Sequence, residues 1–138
     1  MIKVICGKKG VGKTRVLVET ANNMSSESSG DVVFIDGKGR LMYDLKHKVR
    51  FINLSEFPVS INRACSFLGF LCGMISEDYD IKGVFVDDLA ELVDDDIESL
   101  QSFFEDIAKL VAKFDLDFYF SVEGDKESMP EFIKAYYR

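Results

Sequence analysis

Residues 7–14 read Gly-Lys-Lys-Gly-Val-Gly-Lys-Thr. Residues of these types at this spacing can hold a chain of phosphates. The fixed positions of the pattern G-x-x-x-x-G-K-[ST] fall on Gly7, Gly12, Lys13 and Thr14. Glycines let the backbone curl tightly, so that its N–H groups point inward at an anion. A helix that follows presents its positive N-terminal end to the same anion. In that setting Lys13 reaches the β- and γ-phosphates of a nucleoside triphosphate, and the Thr14 hydroxyl is a ligand for Mg²⁺. The expected nucleotide-binding set is Gly7, Lys8, Lys9, Gly10, Val11, Gly12, Lys13, Thr14 and Arg15. The competing reading is a glycine turn that joins a strand to a helix and binds nothing.

A second stretch, Lys82-Gly-Val-Phe-Val-Asp87-Asp88, is a short apolar run that ends in acid. This is the form of a Walker B strand, whose Asp87 would bind Mg²⁺ through water beside Thr14. Asp88 stands where a general base for an attacking water would stand. An acid that caps a turn or helix is the other reading, and the sequence leaves both open. Ser121 ends the run Leu116-Asp-Phe-Tyr-Phe-Ser121-Val122 and is a candidate polar sensor of the γ-phosphate, or an ordinary strand-end serine.

Elements that position these residues are legible around them. Met1–Cys6 is an apolar strand that leads into the glycine loop, and Thr14–Asn23 a helix that leaves it. Met24–Gly30 has the small polar residues of a loop, Asp31–Asp36 is a buried strand, and Asp36-Gly-Lys-Gly39 is a turn cluster. The polar stretch from Tyr43 to Lys48 leads to a strand over Val49–Leu54. Spacing near 3.6 predicts a helix over Ser60–Ser76, with Gly69 and Gly73 permitting a close backbone approach. A long helix is expected from Leu92, with Asp94, Asp95, Asp96 and Glu98 crowding a start that favours acids. Pro130 opens a short closing helix, and its tail, Ala135-Tyr-Tyr-Arg138, is expected to pack.

This alternation predicts one α/β domain over residues 1–138, a three-layer α/β/α sandwich on a mostly parallel sheet of about five strands. Ligands bind beyond the carboxyl ends of such strands. Gly7–Thr14, Asp36, Asp87, Asp88 and Ser121 all fall there.

Bulk properties narrow the function classes. The chain has 138 residues and a formal net charge of −7, which argues against broad, charge-driven nucleic-acid binding. No signal peptide or membrane-spanning run is legible, so a cytoplasmic protein is expected. Three cysteines, Cys6, Cys65 and Cys72, with His47 as the sole histidine, argue against a disulfide framework or a Cys/His zinc site. Buried thiols are expected.

The Gly7–Thr14 loop, the Asp87 strand and the alternation together resemble the P-loop NTPases over nearly the whole chain. Val33-Phe-Ile-Asp-Gly-Lys-Gly39 is similar to the strand-turn after the first helix of FtsK/HerA-type ATPases. The order from the Asp87 strand to a polar-ended strand resembles RecA-like and additional-strand ATPases. Gly7-Lys8-Lys9-Gly10-Val11-Gly12-Lys13-Thr14 also resembles the MinD/ParA loop, whose signature lysine falls on Lys8, although Lys9 replaces a glycine of that pattern. The chain is similar, too, to short Firmicutes ATP-binding proteins sometimes labelled twitching-motility ATPases, but it is too short for the domains such motors use.

These resemblances imply ATP and Mg²⁺ as ligands, with Lys13 and Asp88 as catalytic residues. The usual Glu after the Walker B Asp is Asp88 here. Arg15, Arg40, Arg50, Arg63 and Arg138 are scattered, and none is placed by motif as an arginine finger. Without an N-K-x-D motif, ATP is favoured over GTP. The expected function is a slow or partner-stimulated ATPase, acting as a homo-oligomer or with another protein. The alternative is an ATP-binding switch that does not hydrolyse. A small-molecule phosphotransferase is disfavoured, since neither an acceptor site nor an arginine-rich lid is legible.

Overall fold

Val32, Val33, Phe34 and Ile35 are consecutive, apolar and β-prone, and each is at most 1% exposed. A strand buried on both faces must lie inside a covered sheet. The computed structural model, which describes residues 1–39 and 44–137, shows that sheet. Arg40, Tyr43 and Arg138, named above among the arginines, the linker and the tail, lie outside the described residues.

The elements run β1 (Ile2–Gly7), α1 (Lys13–Glu27), β2 (Asp31–Asp36), β3 (Val49–Asn53), α2 (Ala64–Glu77), β4 (Ile81–Val86), α3 (Leu89–Val93), α4 (Gln101–Phe114), β5 (Asp117–Glu123) and α5 (Glu131–Lys134). Five strands form one sheet in the order β1-β5-β4-β2-β3. Every described pairing is parallel, with Val4 opposite Phe120, Phe85 opposite Tyr119 and Phe34 opposite Phe85. The fold is the expected α/β sandwich.

The two faces are covered unequally. On one, Leu17, Val18 and Ala21 of α1 pack with Val32, Phe34, Phe85 and Tyr119. On the other, Phe67, Leu71 and Ile75 of α2, Phe103, Phe104 and Ile107 of α4, and Ile133 of α5 pack on Val33, Val84, Phe118 and Phe120. Alternate residues of each strand thus serve opposite layers.

Several expected boundaries move. α1 runs through Glu27 instead of ending at Asn23, because Ser25 continues the buried stripe of Leu17, Val18 and Ala21, with the Ser25 and Ser26 hydroxyls satisfied at the Asn22 carbonyl. α2 begins at Ala64 and not Ser60; Arg63 before it is extended. The helix expected from Leu92 is divided into α3, a 3₁₀ turn over Ile97–Leu100, and α4. Asp94 adopts φ 51°, which ends α3. The acidic run is a link between helices, and its Asp95 carboxylate accepts a hydrogen bond from the Ala64 N–H at the start of α2.

The thiols are a further correction. Cys6 is buried, but Cys65 and Cys72 are free and exposed, because α2 rolls onto Phe67, Leu71 and Ile75. A Cβ on Gly69 or Gly73 would meet nothing within 4 Å, so no close approach is made there among the described residues. The closing tyrosines pack as expected, with Tyr136 stacked on Phe104 at 5.7 Å. No helix among the described residues is long and apolar enough to cross a membrane.

Candidate functional site

All five strands point their carboxyl ends at one edge of the sheet, and the sequence places its chemistry there. β1 ends at Gly7, where a Cβ would come within 2.7 Å of Val11 Cγ2, so a larger residue there would make the Val11 side chain shift. Gly10 and Gly12 then take φ 88° and 91°, in the region that side chains other than glycine's disfavour. This reversal delivers the chain into α1 at Lys13.

The start of α1 is left open. Among the described residues no side chain caps it, and no acid lies in its first turn. Its positive end and unpaired N–H groups therefore face the cleft, beside Lys9 and Lys13. Lys13 folds its ammonium onto the Lys8 carbonyl oxygen at 2.9 Å.

Across the cleft stands a hydrogen-bonded chain of three residues from three elements. Thr14 Oγ1 of α1 lies 3.1 Å from both carboxylate oxygens of Asp87, to which it donates. Ser121 of β5, 1% exposed, donates its hydroxyl to Asp87 Oδ1 at 2.7 Å. The same Ser121 oxygen accepts the backbone N–H of Asp88 at 2.7 Å. β5 lies between β1 and β4, and this places Ser121 between the loop and the two acids.

Asp88 holds a left-handed backbone, φ 52° and ψ 62°, as the residue that turns β4 into α3. Such a conformation costs a non-glycine residue free energy, least for Asp and Asn. Its carboxyl is pushed up to about 7, first by burial, then by hydrogen bonding and charge repulsion from Glu91, with Asp87 and Glu123 adding repulsion.

The cleft measures about 720 Å³. Lys9, Gly10, Gly12, Lys13, Thr14 and Arg15 line one side, and Asp87, Asp88, Ser121 and Glu123 the other. Gly7, Lys8 and Val11 shape the loop without lining the cleft. Arg15 is tied to Glu19 at 3.2 Å on the surface. Asp36 does not reach the cleft; its carboxylate accepts the N–H groups of Gly37 and Gly39, closing the turn after β2.

A magnesium nucleotide fits these residues. Folding brings one hydroxyl and one carboxylate, hard oxygen donors of the kind Mg²⁺ takes, to the mouth of a glycine loop. The anionic partner has three N–H-bearing features to meet: the loop, the open helix end and Lys13. No group of three or more acidic, Cys or His ligands occurs among the described residues, so a metal here would complete its shell with water and phosphate oxygens.

Glu91 and Lys38 also line the cleft, and sequence reasoning missed both. Lys38 Nζ lies 2.8 Å from Glu91 Oε1. A signal existed for Glu91: it follows Asp88 by three, the spacing of an N-cap and its reciprocal acid. Lys38 stands after a strand that ends on the same edge as Asp87, but only the strand order brings the two loops together.

Compared with known proteins, the chain matches no family model and no curated protein.

Proposed function

We propose that this chain is a small ATPase that binds Mg-ATP at the glycine loop and splits it slowly, faster when an oligomer or another protein supplies an arginine. The observation that carries the reading is the Thr14–Asp87–Ser121 chain at the open end of α1. A turn that merely joined a strand to a helix would need neither a buried carboxylate facing it nor a lysine folded over it.

Each residue has a role in this reading. Lys13 leaves the Lys8 carbonyl for the anion, a better partner for an ammonium. Thr14 and Asp87 hold the cation, which when bound draws charge from the phosphates. Ser121 keeps Asp87 in place and fixes the Asp88 backbone. Asp88 orients the attacking water and takes its proton. Among the described residues Arg15 is the sole arginine lining the cleft, and Glu19 holds it, hence the arginine in trans. The absence of a guanine-reading motif favours ATP.

A second reading is an ATP-binding module without turnover. It is favoured by the Asp88 carboxyl, which burial first, and then hydrogen bonding and repulsion from Glu91, pushes up to about 7, so that it is half protonated near neutral pH.

ATP binding and phosphate release, measured with Mg²⁺ across a protein concentration series, decide between them. Release per molecule that rises with concentration supports the ATPase completed in trans. Tight binding without release supports the module. Lys13→Ala should lose nucleotide affinity by a factor of about 100 or more, given charge-assisted bonds to phosphate, with an unchanged circular dichroism spectrum. Undiminished ATP affinity in that variant would overturn both readings.

A further inference from the structure

The proposed reaction leaves one cation of the cleft without a role, Lys38. It lines the cleft on the side opposite Lys9, Lys13 and Arg15, among Asp87, Asp88 and Glu91. Its place follows from the strand order. β2 lies beyond β4, so the turn after β2 stands on the far side of Asp87 from the glycine loop. That turn is built around the lysine. Asp36 at its start is 6% exposed, and a buried carboxylate is costly unless its oxygens are bonded. Asp36 bonds the backbone on either side of Lys38, accepting the Gly37 N–H at 2.8 Å and the Gly39 N–H at 3.1 Å. The acid that ends β2 thus stays out of the cleft and fixes the backbone that carries a lysine into it.

The ion pair that Lys38 makes is exchangeable. Its Nζ lies 2.8 Å from Glu91 Oε1, and the two side chains are 49% and 54% exposed. An ion pair so open to water favours contact by about fivefold at most. A charge-assisted bond to a phosphate oxygen offers an ammonium about tenfold or more. Position selects which phosphate. In the reading above, the loop, the open end of α1 and Lys13 hold the phosphates nearest the loop, and Thr14 and Asp87 hold the cation. The last phosphate of a triphosphate then extends toward the wall that Lys38 lines, and a diphosphate falls short of it.

We propose, resting on the ATPase reading, that Lys38 exchanges Glu91 for the terminal phosphate of ATP and gives the cleft a preference for ATP over ADP. Lys13 serves both nucleotides, and Lys38 serves one. Part of the positive charge at the terminal phosphate is thus supplied within the chain, from the turn after β2.

Affinities for Mg-ATP and Mg-ADP are measured by calorimetry for the full chain and for its Lys38→Ala and Lys38→Arg variants. Lys38→Ala should weaken ATP about tenfold and ADP by less than about twofold, the difference expected for one charge-assisted contact. Its urea midpoint should stay near that of the wild type, because a half-exposed ion pair adds little to stability. Lys38→Arg should keep most of the preference for ATP, since a guanidinium also bonds phosphate. A Lys38→Ala protein in which ATP and ADP weaken together would make the lysine a structural residue, and one in which neither weakens would leave it on Glu91. Either result overturns the proposal while the ATPase reading stands. Wild-type protein that binds neither nucleotide overturns that reading, and the role of Lys38 with it.

Discussion

Ser121 is the residue on which the candidate site turns, and it does two things with one oxygen. It donates to Asp87 and accepts from the Asp88 N–H, both at 2.7 Å, while buried. Ser121→Ala leaves that N–H without its partner and reduces Asp87 Oδ1 to its 3.1 Å bond from Thr14. The expected cost is about 1–3 kcal/mol of stability, read as a lower urea midpoint, together with weaker Mg²⁺-dependent nucleotide binding as Asp87 loses its anchor. Equal stability and equal Mg²⁺ dependence would refute the positioning role. Asp88 gives the pH dependence. Its carboxyl titrates near 7 in the fold against an ordinary 3.8, so between those values the folded protein holds a proton the unfolded chain has shed. The resulting stabilisation is present at low pH and lost as pH rises through about 7. Asn tolerates the same left-handed backbone, so Asp88→Asn is a clean probe. In that variant the fall in stability from pH 5 to pH 8 should shrink, nucleotide affinity should persist, and turnover should vanish. A wild-type pH dependence of stability retained in Asp88→Asn would show that Asp88 is not its source. Gly7, Gly12, Lys13 and Thr14 were legible in the sequence because the loop pattern fixes residue type at fixed spacing, and Asp87 because a short apolar run ends on it. The second role of Ser121 was not, because a buried hydroxyl between two strands leaves no local pattern.

At the scale of elements, the ends of helices are where reading and structure part. Periodicity located every strand of the sheet to within a residue or two, since apolar runs bounded by turn residues have few alternatives. Helix ends depend on what caps them. Small serines looked like a loop after Asn23, yet Ser25 lies on the buried face of α1 and the helix runs through Glu27. Acids before Ile97 looked like one helix start, yet Asp95 serves another helix, accepting the Ala64 N–H at 3.1 Å across 31 residues. No spacing rule reports a cap supplied from so far along the chain. Asp95→Ala should therefore destabilise α2 by about 1 kcal/mol, the usual worth of an N-terminal cap. The loss should appear in hydrogen exchange at the first turn of α2 and not in α4. Faster exchange confined to α4 would mean that Asp95 belongs to the helix it precedes. The packing of α2 through Phe67, Leu71 and Ile75 leaves Cys65 and Cys72 in solvent. Seven-residue spacing put the two thiols on one face; it could not say which face.

For the whole molecule, the strand order carries consequences that alternation alone does not. Alternating strands and helices predict a parallel sheet, but they do not say that the last strand enters between the first and the fourth. The order β1-β5-β4-β2-β3 joins the glycine loop to Asp87 through Ser121, and it also leaves β1 at an edge. An open edge presents unpaired N–H and C=O groups to water and to other chains. Here the C-terminal segment covers it. The Val4 N–H donates to the Tyr136 carbonyl at 2.8 Å, Val4 and Tyr137 form a parallel bridge, and the Tyr137 hydroxyl donates to the Lys126 carbonyl. Tyr136 meanwhile stacks on Phe104, which ties the edge to the helical layer of α4. The tyrosines thus close the strand that feeds the glycine loop, and they lie off the cleft. Removal of residues 135–138 should cost about 2–4 kcal/mol, the sum of a backbone hydrogen bond, a ring contact and partial burial of two aromatic side chains. It should also raise self-association, because the freed edge can pair with a second chain. Urea unfolding and sedimentation of the shortened protein test both effects. A shortened chain as stable and as monodisperse as the full one would mean that β1 needs no cover, and that the tail is packed without being required.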